Sequence, residues 1–305
     1  MGAILSPQFL AVVLRNTTPI LFATLAVAIA AKSGVFNIAV EGMMLFAALI
    51  GVIFSAKYQN AFAGLFFAVV IGGFVGFLLC FLIVKLKTDA TLTGVAFNVI
   101  ASGGTAFLLF LVSGDKGSSL SLKSQSIPNM SFGFLDKIPF IGKILKNQNY
   151  LTILSLLLVI ILHIFLYKSK LGLRIRAVGE NPKAAESVGI NVIRTQYIAL
   201  IISGVIASLG GVFLSMGYLS SFSRDMTAGR GFIGLVANAM GRSTPIGGFI
   251  VSLIFGTADA LANTAQTALK VPFELLSMIP YVTTFVGFAL SSYIIKKKKE
   301  KSQEK

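Results

Sequence analysis

The chain carries few side chains able to make or break a covalent bond. Its one histidine, His163, sits in the run LLLVIILHIFLY, with no Asp, Glu or Cys nearby to complete a metal set. A place at the membrane interface or in helix packing fits it. The one cysteine, Cys80, lies within another apolar run and reads as a small buried hydrophobe. No phosphate-cradling GxxxxGK motif, no GxSxG and no HExxH occurs. An intramembrane protease or lipid transferase is therefore disfavoured, and the chain reads as a non-enzyme.

Polar groups inside apolar stretches say more, because a charge in a bilayer is costly and such residues tend to face a cavity. Glu41 follows Asn37 by four residues, so the two share a face if that stretch is helical. Either could bond a polar solute or cap a neighbouring half-helix. Asp259 and Asn263 are spaced i, i+4, and Gln266 follows three later, which makes a polar stripe on one helix. Asn98 with Ser102, and Asn238, sit within apolar segments in the same way. Asn37, Glu41, Asn98, Asn238, Asp259 and Asn263 are the candidates for a solute path, with bonding between helices as the alternative. Arg224 and Asp225 are adjacent in a polar break and read as surface loop or gate. The 26 phenylalanines could stack on a ring-bearing solute, though most belong to packing or lipid.

The elements that position these groups are membrane spans. Of 305 residues 55% are hydrophobic and only 12% are charged, against about 25% charged in soluble domains. Several runs reach the roughly 20 apolar residues that a bilayer helix needs, and their length excludes a barrel of short alternating strands. The class is an all-α polytopic membrane protein of about 8–10 transmembrane helices, some short or broken. Residues 8–31 form a first segment interrupted by Arg15, Asn16 and Pro19, with the part before Pro19 expected as a separate interfacial half-helix. KSGVFNIAVEG, 32–42, then breaks the pattern before a short apolar piece, 43–56. Spans follow at 61–84, with Gly72, Gly73 and Gly76 for close packing, and at 90–112, 150–167, 195–219, 245–269 and 272–295. The piece 232–241, after the polar break 221–231, is too short to cross unaided. Broken stretches at 32–56 and 221–241, one in each half, point to a transport path built from a repeat.

The net charge of +15 does not indicate nucleic acid, since the basic residues are spread over connecting loops and the tail. The lysines at 296–299 place the C-terminus and the tail 296–305 in the cytoplasm under the positive-inside rule. Counting back puts loop 168–194 inside and loop 113–148 outside, within one transmembrane domain spanning 1–295. Met1 to Leu14 lacks the features of a secretory signal.

Within loop 168–194 lies a helix signal. Asn181 suits an N-cap, Pro182 the first helical position and Gly189 a C′ position of positive φ. The helix expected at Pro182–Val188 is roughly 10 Å long. Its Ala184 and Ala185 allow close seating in a cleft, and Lys168, Lys170, Arg174 and Arg176 crowd the approach.

RAVGENPKAAESVGINV, 176–192, resembles the cytoplasmic loop of ABC importer permeases of the ribose/branched-chain amino-acid type. GVFNIAVEGMMLFAALIG, 34–51, and AGRGFIGLVANAMGRSTPIGG, 228–248, resemble two further blocks of that family. The N-I-x-x-E-G form is most similar to the subgroup importing nucleosides with a lipoprotein receptor; simple-sugar permeases are the alternative, and an ion-coupled transporter a more distant one. Ala39, Asn238 and Ala239 depart from the family pattern. The resemblance implies a permease subunit that holds no cofactor itself, with ATP and Mg bound by partner ATPase subunits. Those subunits would grip the 182–188 helix through Arg176, Asn181, Pro182, Ala184, Ala185, Glu186 and Gly189. A second permease, homo- or heterodimeric, an extracytoplasmic solute-binding lipoprotein and membrane lipid complete the implied partners, in a multi-pass cell-membrane location.

Overall fold

The computed structural model describes residues 6–130, 141–145 and 147–269; the expected span 272–295 and the tail 296–305 lie outside them. The described chain is helical apart from a two-residue pairing of β1 (Asn129–Met130) with β2 (Gln148–Asn149). Seven described helices are long and apolar enough to span a membrane. They are α1 (Pro7–Lys32), α2 (Val40–Tyr58), α3 (Ala61–Cys80, continuing as a π-helical turn to Lys85), α4 (Ala90–Ser113), α6 (Tyr150–Lys168), α9 (Val192–Val212, continuing as a π-helical stretch to Tyr218) and α11 (Pro245–Leu269). The short helices are α5 (Ile141–Leu145), α7 (Lys170–Glu180), α8 (Pro182–Ser187) and α10 (Arg230–Met240). At about 1.5 Å per residue α10 is far too short to cross a bilayer.

α1 is the axis of the bundle. Every residue from Asn16 to Ala30 is buried, packed by α9, α10 and α11. It runs unbroken through Pro19, contrary to the half-helix expected before that residue. The Thr17 and Thr18 hydroxyls donate to the Val13 and Leu14 carbonyls one turn back, at 2.7 and 2.8 Å. These two carbonyls precede that of Arg15, which Pro19 leaves without its helical N–H donor, so the continuity of α1 rests on its buried packing.

Glycines set the other close approaches. Gly72 of α3 lies against Gly204 of α9, and Gly76 against the Leu200 carbonyl, so the two backbones touch where a Cβ would collide. α3 and α9 run antiparallel in this contact, as 72 meets 204 and 76 meets 200. α1 and α11 do the same, through Gly248 on Thr24 and Gly256 on Thr17.

Both sequence breaks are real, and they enter the bundle from opposite ends. Residues 33–39 leave α1 beside α7, where Gly34 lies against Gly179. Residues 219–229 leave α9 beside segment 114–128: Ser119 N–H donates to the Phe222 carbonyl at 2.9 Å and Arg224 N–H to the Gly117 carbonyl at 3.0 Å. The helices that follow the breaks, α2 and α10, begin next to one another inside the bundle.

Candidate functional site

The joint between the two helix starts is made by one carboxylate. Glu41, in the first turn of α2, accepts the N–H of Gly229 on Oε1 at 2.8 Å and that of Gly231 on Oε2 at 2.6 Å. The N-terminus of a helix carries unpaired N–H groups and partial positive charge, so an anion is favoured there. Gly231 sits so close to the Glu41 backbone that a Cβ would lie 2.6 Å from its Cα. Asn98 of α4 performs the same task for α2: its Oδ1 accepts from Gly42 N–H at 2.8 Å and its Nδ2 donates to the Ile38 carbonyl at 2.9 Å. Gly94, one turn before Asn98, admits Ile38 at a distance no side chain would allow.

The other path candidates fall around this joint in different settings. Asn37 is not helical with Glu41, because α2 starts only at Val40; its amide is fully buried and donates to Ser203 Oγ at 2.9 Å. Asn238, near the end of α10, donates to Ser243 Oγ at 3.1 Å. Asp259 of α11 lies 3.9 Å from Arg230, the first residue of α10, forming an ion pair that sequence reading missed. Asn263 is exposed one turn further along, and the side chain of Gln266 lies outside the described part. Arg224 and Asp225 are paired at 3.5 Å, and Asp225 accepts from Ser102 Oγ at 2.7 Å. A cleft of about 330 Å³ opens here, between α2, α4, residues 225–229 and Phe232.

At the α7–α8 end the short helix has the caps its sequence announces. Asn181 Oδ1 accepts from Ala184 N–H at 3.0 Å, and Pro182 opens the helix. Gly189 takes φ +82°, and Ile190 N–H returns to the Ala185 carbonyl at 3.0 Å, closing a Schellman-type end. The helix stops at Ser187, so Val188 is the cap instead of the last helical residue. Ala185 is buried, while Ala184 and Glu186 are exposed and Val188 is 74% exposed. The approach is not a loop: Ser169 caps a second helix, α7, through Gly172 N–H at 3.0 Å. Its buried Gly172, Ile175 and Val178 recur every third residue, a signal masked by the basic residues between them.

Arg176 is turned inward rather than toward the exposed side of α8. Its guanidinium lies 4.6 Å over the Tyr167 ring, which in turn sits 4.7 Å from the His163 ring on the same helix, and the Arg176–Tyr167 contact ties α7 to α6. Gly179 presses on the Lys32 carbonyl, where a Cβ would overlap it. α7 therefore touches the end of α1 and the start of the first break. Among the described residues no three His, Cys, Asp or Glu side chains gather as a metal set.

The comparisons agree with this architecture. Over 286 residues the chain is 31% identical to the nucleoside ABC transporter permease protein NupC of Lactococcus lactis, covering 90% of this chain and 89% of that protein. Identity to the guanosine ABC transporter permease protein NupQ of Bacillus subtilis is 32% over 305 residues, covering 94% and 93%. A second Lactococcus lactis protein, the nucleoside permease NupB, is 26% identical over 320 residues, covering 100% of this chain and 86% of that one. The solved structure of PsaBC from Streptococcus pneumoniae in complex with Fab shares the fold, with a TM-score of 0.51 at 16% identity, covering 92% of this chain and 89% of that one. A family model described as branched-chain amino acid transport system / permease component matches residues 9–288, and the chain belongs to that family of ABC-transporter permeases.

Proposed function

We propose that the chain is the membrane subunit of an importer for nucleosides, driven by ATP hydrolysed in separate subunits that dock on α8. The observation that carries this reading is α8 itself: a capped helix with its Ala184, Glu186 and Val188 face uncovered, held on α7 between two spans. The NupC and NupQ similarities support the nucleoside class. The α7–α8 end is cytoplasmic in this reading, with the C-terminus on the same side, and loop 113–148 faces an extracytoplasmic solute-binding lipoprotein.

A route for the motion exists in the packing. Movement of α8 reaches α7, then Gly179 against Lys32 and Gly34, then the first break with its Asn37–Ser203 bond, and finally Glu41 and the start of α10. Asn37, Glu41, Asn98 and Asn238 hold the walls of the solute path in this scheme, with Asp259 and Asn263 along α11. Arg176 keeps α7 on α6, while Asn181, Pro182, Ala184, Ala185, Glu186 and Gly189 shape the docking helix.

The second permease is a different chain. Lactococcus lactis holds two nucleoside permeases, and this chain is nearer to NupC, at 31%, than to NupB, at 26%. A NupB-like partner fits that asymmetry.

The test is uptake of labelled guanosine or adenosine, with Glu186→Arg and Gly189→Pro beside the parent. Loss of ATP-dependent uptake in both variants is expected. Undiminished uptake contradicts the docking role, and competition by free ribose but by no nucleoside would move the solute to simple sugars.

A further inference from the structure

The cleft beside the joint holds a charged group in a place where lipid would be a poor neighbour. Ser102 is the thirteenth residue of the 24 in α4, half-way along a span. Its hydroxyl holds the Asp225 carboxylate at 2.7 Å, so that carboxylate sits near the mid-depth of the bilayer. Asp225 is nonetheless about half exposed, with 52% of its side chain open, and Arg224 beside it is open too. Charged groups at that depth face water-filled cavities or partner subunits. The backbone holds the carboxylate there at some cost: Asp225 has φ +51° and Ala228 φ +46°, both in the left-handed region.

The remaining lining defines what could be bound. Glu41 and Asn98 border the cleft, but their hydrogen-bonding atoms are engaged by backbone groups. Asp225 Oδ1 accepts from Ser102 and Oδ2 lies 3.5 Å from Arg224, yet half of its side chain is open, so the carboxylate keeps lone pairs for a ligand. The apolar part of the lining is Leu45, Val95, Val99 and the half-exposed ring of Phe232. A volume of about 330 Å³ is at the small end of the roughly 300–1,000 Å³ usual for small-molecule sites.

We propose that this cleft is a nucleoside contact site on the transport path, a proposal that rests on the nucleoside reading above. Asp225 accepts hydrogen bonds from the vicinal hydroxyls of the ribose, Ser102 fixes the carboxylate, and the base lies on Phe232.

The experiment uses the complete importer in proteoliposomes, comparing guanosine with 2′,3′-dideoxyguanosine, which lacks the two hydroxyls. Asp225→Asn should raise the half-saturating guanosine concentration about tenfold or more, as expected for losing a charge-assisted hydrogen bond, and leave dideoxyguanosine unchanged. Equal effects on both solutes, or none, overturn the assignment. A second readout does not depend on how Asp225→Asn folds: guanosine should slow thiol labelling of Val99→Cys in a Cys80→Ala background. Unaltered labelling with guanosine also overturns the site. If the unmodified importer takes up no nucleoside at all, the functional reading fails first; if it does and only these contrasts are missing, the cleft alone is wrong.

Discussion

Where Glu41 meets Gly229 and Gly231, the chain satisfies itself: both carboxylate oxygens and both amide atoms of Asn98 are taken by backbone groups from elsewhere in the sequence. At α8 the bonds are local, between residues 181 and 190, and the outward side chains lie exposed. A joint that two half-helices share has to be specified by the protein alone, because an open N–H in a membrane finds no water. A docking helix must keep its shape yet leave its contacts for another molecule. The contrast separates residues whose loss unfolds the protein from residues whose loss disconnects it.

The largest stability effect belongs to the joint. Glu41→Ala strands two part-buried N–H groups at the start of α10 and should cost about 2–4 kcal/mol, read as a lowered unfolding midpoint in detergent. Glu41→Gln keeps one acceptor oxygen and should fall between this variant and the parent. Next comes the contact that connects the two regions. Gly179→Leu forces a side chain into the Lys32 carbonyl and should cost about 1–3 kcal/mol, with uptake reduced further than the stability loss accounts for. If uptake follows stability alone, the route through α7 is not the coupling route. Asn181→Ala removes one cap and should cost about 1 kcal/mol, confined to α8 and visible as faster amide exchange at Ala184. The smallest stability change is expected at Val188→Asp, within about 0.5 kcal/mol, since the side chain lies in the open.

The same contrast explains what could be read from the sequence. Asn181, Pro182 and Gly189 announce α8 because every interaction that forms it spans fewer than ten residues. Glu41 stands out as a candidate cap, yet the helix it caps begins 188 residues later, and no local pattern connects the two. The apolar runs gave the spans, and the two glycine-bearing breaks gave the interruptions before α2 and α10, although α2, expected as a short piece at 43–56, is long enough to span. Pro19 misled because its consequence depends on burial: packing on all sides keeps α1 continuous. α7 was hidden because its three buried positions are separated by Arg174 and Arg176. Arg230 with Asp259 was out of reach for the same reason as Glu41 with Gly231, since a pairing across 29 residues depends on how α10 folds back onto α11.

ATP-driven guanosine uptake by the reconstituted importer carrying Val188→Asp tests the account most directly. The substitution puts a charge on the most exposed apolar side chain beside α8 and touches no contact within the chain. Uptake should fall to the level seen without ATP, in protein whose unfolding midpoint matches the parent. Uptake at the parent rate would show that the energy enters the membrane domain elsewhere than at α8.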